Sequence, residues 1–217
     1  MLANLFYGYD LGSFFLMMLY RVPAIMIAIA VHESAHAYSA YRLGDPTARN
    51  LGRVTMNPLK HLDVAGTIML LLVGFGWAKP VPVNPRNFRN PRKDDIIVSL
   101  AGVVANLVTA FVFLGIWYFF IYTIGFANNI LNNFMSAIVL INIYLAIFNL
   151  IPIPPLDGYH VLKSAVRIKN PKFFWVFERY GFLILIVLLF TGAVSATLGF
   201  VGRSIFSAFD AFYQLIF

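Results

Sequence analysis

His32, Glu33 and His36 interrupt a run that is otherwise apolar or small, PAIMIAIAVHESAHAYSA, from Pro23 to Ala40. A run of that kind folds as a helix in a bilayer, where an ionisable group costs at least about 2.5 kcal/mol at the centre and faces a bundle interior or a wet cavity. Helical positions four apart differ by about 40° in azimuth, so His32 and His36 share one face and can grip one metal ion. Glu33 lies next to that face, near enough to act as a base toward an activated water. A chance His-Glu-x-x-His in a packed soluble helix is the bland reading, and the apolar setting argues against it.

The rest of the chain agrees with a membrane setting. It is 60% hydrophobic and 12% charged, about half the charge of a soluble domain, with mean hydropathy +0.79. The net charge of +7 does not argue for nucleic acid, because Lys and Arg gather between apolar segments. There is no cysteine, so a metal must take His, Asp or Glu ligands. No removable signal peptide and no repeat is evident. We expect one integral membrane domain over residues 1–217, all-α, with about four to six transmembrane helices.

A first apolar stretch, Leu11–Leu19, either continues into the helix that starts near Pro23 or lies in the interface. Gly44-Asp45-Pro46 stops that helix. Gly66–Trp77 is apolar but too short to cross roughly 30 Å of hydrocarbon at 1.5 Å per residue, so it is expected to be re-entrant or a short span. Lys79–Pro85 alternates valine and proline, cannot be helix and predicts an extended or edge-strand segment, or else a surface loop. Spans follow at Ile96–Ile124, Phe134–Leu150 and Gly181–Val201, with a short amphipathic helix at Tyr159–Val166 and an aromatic stretch at Ser204–Phe217. Small-residue pairs such as Ala24/Ala28 and Gly192/Ala196 permit close helix contacts. The loops 42–65 and 77–95 and the segment 163–179 hold all 16 Lys and Arg residues except Arg21 and Arg203. If 66–77 does not cross, these segments share one face, which the positive-inside rule makes cytoplasmic.

Catalytic zinc usually takes three protein ligands and leaves a position for water. Asp157 follows Pro152, Pro154 and Pro155, which break a span and free backbone groups where a cavity is expected. It also suits the N-cap of the helix beginning at Gly158. Glu178 is the competing carboxylate, in a stretch with Lys172, Arg179 and aromatics that reads as a membrane boundary.

The pattern resembles the site-2 protease family of intramembrane zinc metalloproteases (peptidase family M50). The matching pieces are His32-Glu33-Ser-Ala-His36, Ala101-Gly102-Val-Val-Ala-Asn106, and Asn149-Leu-Ile-Pro152 leading to Leu156-Asp157-Gly158. Gly44-Asp45-Pro46, Asn57-Pro58-Leu59-Lys60-His61 and Lys79-Pro80-Val81-Pro82-Val83-Asn84-Pro85 resemble its compact prokaryotic branch, without PDZ or CBS domains. The resemblance covers about residues 20–165, with C-terminal helices over about 174–217. It implies one Zn2+ per chain on His32, His36 and Asp157, Glu33 as base, and transmembrane segments of other proteins as substrates within the lipid bilayer of a prokaryotic cell membrane. Two departures stand out: Val103 where many members have proline, and Val64-Ala65 after His61-Leu-Asp63.

Zinc would lower the pKa of water toward about 7 and polarise the scissile carbonyl. An oxyanion also needs a neutral donor. Asn149 and Asn106 are the candidates, against the alternative that each only joins helices. His61 reads as a structural loop histidine. The residues by themselves also admit a zinc or proton transporter, or an inert metal-binding membrane protein. Glu33 separates these, since a transport site tolerates glutamine there and a proteolytic base does not.

Overall fold

The structure is a computed structural model that describes residues 11–73, 76–166 and 171–217. Helix α1, Leu11–Arg42, is continuous, so Leu11–Leu19 belongs to the helix that carries the His-Glu-x-x-His run. Pro23 sits inside it. The polypeptide turns at Gly44, where φ is +110°, and makes a short helix α2, Thr47–Asn50. Helix α3, Val64–Val73, has ten residues, too few to cross a bilayer. Residues 74–75 of the apolar stretch, and 167–170 of the basic segment, lie outside the described residues.

The expected β-like segment is extended, but its β-structure is a single antiparallel bridge between Leu62 and Ala78. Pro80, Pro82 and Pro85 lack the amides a longer ladder would need. Helix α4 runs Pro91–Tyr118, unbroken through Val103, and continues to Thr123 as a π-turn. Helix α5, Asn129–Asn149, returns antiparallel and ends at the proline break. Helix α6, Asp157–Ala165, follows.

The expected span Gly181–Val201 is broken. Helix α7, Pro171–Phe190, and helix α8, Ala193–Gln214, meet at 74°. Gly192 at the break has φ +76°, a left-handed conformation that glycine adopts without strain. Gly192/Ala196 is therefore a corner rather than a helix contact, and the aromatic C-terminal stretch continues α8. Among the described residues, three helices, within α1, α4 and α5, are long and apolar enough to span a membrane, or four spans if the bent pair counts as one.

Helix α4 is central, packed against α1, α5 and α6. Its buried stripe is Gly102, Asn106, Ala110 and Leu114, and its exposed ridge is Val104, Val108, Val112 and Ile116. The small and polar residues Gly102, Asn106 and Ala110 face inward beside Val98, Val103 and Leu114, and the outward ridge is entirely branched apolar, as expected when the solvent is lipid. Ala24 and Ala28 of α1 are fully buried, so that small-residue pair does make a close intramolecular contact. Ala110, Leu114, Val139, Ile143, Ile147 and Tyr213 form a core between α4, α5 and α8.

Candidate metal centre

His32 and His36 stand one turn apart on α1, both buried, with their Nε2 atoms 3.0 Å apart. Asp157 comes from the first turn of α6. Its Oδ2 lies 3.1 Å from His32 Nε2 and 3.2 Å from His36 Nε2. The proline break between α5 and α6 brings it there. Gly158 lets the start of α6 pack against the turn after α5, since a Cβ at that position would lie 2.3 Å from the Leu150 carbonyl oxygen. Leu156, not Asp157, occupies the N-cap position. This corrects the capping alternative: the Asp157 side chain is directed to the histidines.

The hydrogen bonds behind the imidazoles define their proton positions. His36 Nδ1 is 2.7 Å from the Val98 carbonyl oxygen, and His32 Nδ1 is 2.6 Å from Asn106 Oδ1. Both oxygens only accept, so each Nδ1 carries a proton, and in the neutral imidazole each Nε2 then holds the lone pair. Asp157 Oδ2 is buried with no hydrogen-bond partner. With neutral imidazoles, three lone pairs converge here, an arrangement that repels unless a cation fills it, and the group could hold a metal ion. Tetrahedral zinc with bonds of about 2.0–2.1 Å would space its ligand atoms by about 3.3 Å, close to the separations seen. Among the described residues, His32, His36 and Asp157 are the group of this kind.

Glu33 is half-buried, and its Oε2 accepts the Val81 N–H at 2.9 Å. The Lys79–Pro85 segment is therefore laid against the Glu33 side of α1 by a backbone contact that the sequence did not reveal. Lys79 N–H donates to the His61 carbonyl at 2.8 Å, and Arg53 Nη2 donates to the Lys79 carbonyl at 2.6 Å. His61 is fully buried, with Nε2 2.8 Å from the Thr55 carbonyl, and Ser34 Oγ donates to the same carbonyl oxygen. His61 is thus part of the scaffold of this cap and not of the metal cluster.

Asp45, fully buried, fastens the other end of the cap. It accepts from Asn84 N–H and Asn87 Nδ2 at 2.7 Å each, and from Thr47 Oγ1 at 2.5 Å. Burial works against its ionisation, but the donors from Asn84, Thr47 and Asn87 outweigh it and hold the carboxyl below its ordinary value.

Asn149 is the last residue of α5, half-buried, and returns one amide N–H to the Leu145 carbonyl at 3.0 Å. Asn106 is fully buried, and its amide group donates to the Ala28 carbonyl at 3.1 Å and to Asn142 Oδ1 at 2.7 Å. Both its protons are engaged, so the structure gives Asn106 none to offer an oxyanion and sets it behind His32 instead. Asn142 was missed in the sequence, although an amide in the middle of an apolar span is itself a signal. Glu178 lies elsewhere, bonded to the Tyr159 hydroxyl at 2.6 Å and Lys163 Nζ at 2.5 Å.

Fold and cluster together define a helical membrane protein with a buried His–His–Asp group that could hold a metal ion. The family model for peptidase family M50 matches residues 119–191. A Bacillus subtilis protein named "Putative zinc metalloprotease YwhC" is 40% identical over 91% of this chain and 94% of its own length. A Mycolicibacterium smegmatis protein named "Putative zinc metalloprotease Rip2" is 32% identical over 78% of this chain and 66% of its own. No solved structure gives a significant match. The chain belongs to peptidase family M50 and is a membrane-embedded zinc metalloendopeptidase.

Proposed function

We propose that this enzyme hydrolyses peptide bonds within or near transmembrane segments of other membrane proteins, with His32, His36 and Asp157 holding one zinc ion and Glu33 acting as the base. The observation that carries this reading is the convergence of the Asp157 carboxylate on His32 and His36, which stand together on a helix long and apolar enough to span the membrane. His32 is ten residues from Arg42 at the end of that helix, roughly 15 Å deep at helical rise.

Bound zinc supplies a Lewis acid and lowers the pKa of water. Val81 N–H holds one oxygen of Glu33, leaving the other to take a proton and pass it to the leaving amine. Asn149 is the remaining candidate donor to the developing oxyanion. A substrate helix must unwind to present its carbonyl, and Lys79–Pro85 is the candidate edge to receive the unwound strand. Of that segment's amides, those of Lys79, Val81 and Asn84 bind inward, so added pairing rests on its carbonyls and on Val83. Replacing Pro80 and Pro82 is expected to impair cleavage without loss of zinc.

We take the site to open toward the cytoplasmic face of a prokaryotic cell membrane, a reading supported by the basic residues at the end of α1, in the 43–90 region and at the start of α4. The test is cleavage of a model transmembrane substrate by pure protein in liposomes. Glu33→Gln should abolish cleavage while zinc stays bound. Undiminished cleavage in that variant, or zinc flux without cleavage in the wild type, would remove the assignment.

A further inference from the structure

Asn106 on α4 and Asn142 on α5 are both completely buried inside membrane-spanning helices. A buried amide is costly unless its groups are paired, and here the pairing is directional. Asn142 Nδ2 donates to the Ile138 carbonyl oxygen at 2.8 Å, so its Oδ1 faces α4 and accepts from Asn106 Nδ2 at 2.7 Å. Asn106 Nδ2 donates also to the Ala28 carbonyl at 3.1 Å, which turns Asn106 Oδ1 toward His32 Nδ1 at 2.6 Å.

The oxygen and NH2 of a carboxamide have nearly the same shape, and only their partners tell them apart. A flipped Asn106 would set its oxygen against two acceptors and its NH2 against His32 Nδ1. His32 would then carry its proton on Nε2, the atom that faces His36 and Asp157, and lose the lone pair there. A flipped Asn142 would set oxygen against the Ile138 oxygen and NH2 against NH2. The series therefore starts at a backbone carbonyl, which cannot flip, and ends at a tautomer.

We propose that Asn142 is a positioning residue for the metal centre: anchored on the Ile138 carbonyl, it acts with the Ala28 carbonyl to fix the orientation of the Asn106 amide and thereby holds His32 in the Nδ1–H tautomer that leaves Nε2 free to bind metal. This rests on the reading of His32 as a zinc ligand. His36 is held directly by the Val98 carbonyl, so the effect of Asn142 is confined to one of the two histidines.

The test uses the full chain in detergent, with zinc and cobalt(II) as probes. Asn142→Leu is close in size and removes the acceptor. Asn142→Asp keeps an acceptor toward Asn106 and, protonated, a donor toward Ile138. Zinc affinity is read by competition with a chelator, and the imidazole N–H resonances of 15N-histidine-labelled, zinc-loaded protein report each ligand separately. Asn142→Leu is expected to lose about tenfold or more in zinc affinity, whereas Asn142→Asp stays within about threefold of wild type. The leucine variant should also change the cobalt absorption and move the His32 Nδ1–H resonance, leaving that of His36 in place. Wild-type zinc affinity with an unmoved His32 resonance in Asn142→Leu would overturn the proposal. So would an equal loss in Asn142→Asp, which would trace the effect to packing. Should the leucine variant not fold, Asn142→Ser, too short to reach Asn106, takes its place with the same expectations. A wild-type chain that binds no zinc overturns the metal centre and this proposal together, and is told apart because it is seen before any substitution.

Discussion

Gly102 brings the backbone of α4 against both imidazoles. A Cβ there would lie 2.6 Å from His32 Cε1 and 2.7 Å from His32 Nδ1 and His36 Nε2, far inside contact distance. Since the rings are held from behind by Asn106 and Val98, they cannot withdraw without losing a hydrogen bond. Gly102→Ala is expected to cost about 1–3 kcal/mol of overpacking, read as roughly a fivefold to hundredfold drop in zinc affinity by chelator competition. Affinity equal to wild type would show that the rings are looser than their packing implies. At this scale much was legible. Two histidines four apart and a glutamate between them declare a shared helix face. The carboxylate partner was not decided by the residues alone, because Asp157 as ligand and Asp157 as cap share one sequence signature. What separates them is the direction of one side chain, set by how Gly158 packs against the turn after α5.

The Lys79–Pro85 segment is the element whose role the sequence left most open. Its prolines announced an extended stretch, but which of its amides points where is a tertiary fact. Val81 N–H binds Glu33, so removing that single donor with Val81→Pro should lower kcat about tenfold to a hundredfold, the worth of a hydrogen bond to a charged group, while zinc content is unchanged. An unaffected kcat would show that the segment does not act through Glu33. The same element is fastened by Asp45, whose carboxyl is held below its ordinary pKa of 3.8. A carboxylate with a lowered folded-state pKa stabilises above the unfolded value and loses that contribution as pH falls through 3.8 toward the folded one. Thermal denaturation is therefore expected to show an acid-side loss of stability in the wild type that is smaller in Asp45→Asn, which starts about 1–3 kcal/mol less stable. Parallel pH profiles would contradict this. Helix α7–α8 shows the opposite case, where an apolar run read as one span. The corner at Gly192 was invisible because glycine is tolerated in membrane helices, and only its positive φ marks a break.

Across the whole molecule, α1, α4 and α5 alternate in direction and the ten-residue α3 does not cross. This places the cap, the proline break and α6 on the same side as most of the positive charge, an arrangement foreseeable from the distribution of Lys and Arg. The chain has no cysteine, which makes the arrangement directly measurable. Asn57→Cys should be labelled by a membrane-impermeant maleimide only from the cytoplasmic side, and Asn128→Cys only from the other side. The reverse pattern would invert the orientation. What could not be foreseen is that the groups behind the two imidazoles, Asn106 and the Val98 carbonyl, both come from α4, because pairings across 74 and 62 residues leave no local trace in spacing.

The proposed roles of these residues all depend on one zinc ion held between α1 and the start of α6. Zinc-edge X-ray absorption on purified wild type, Asp157→Ala and Glu178→Ala, with metal content measured alongside, tests it most directly. One zinc per chain with two imidazole nitrogens and a carboxylate oxygen near 2.0–2.1 Å is expected in the wild type and in Glu178→Ala, and a marked loss of zinc in Asp157→Ala. Full zinc occupancy with an unchanged spectrum in Asp157→Ala, or its loss in Glu178→Ala, would contradict the account.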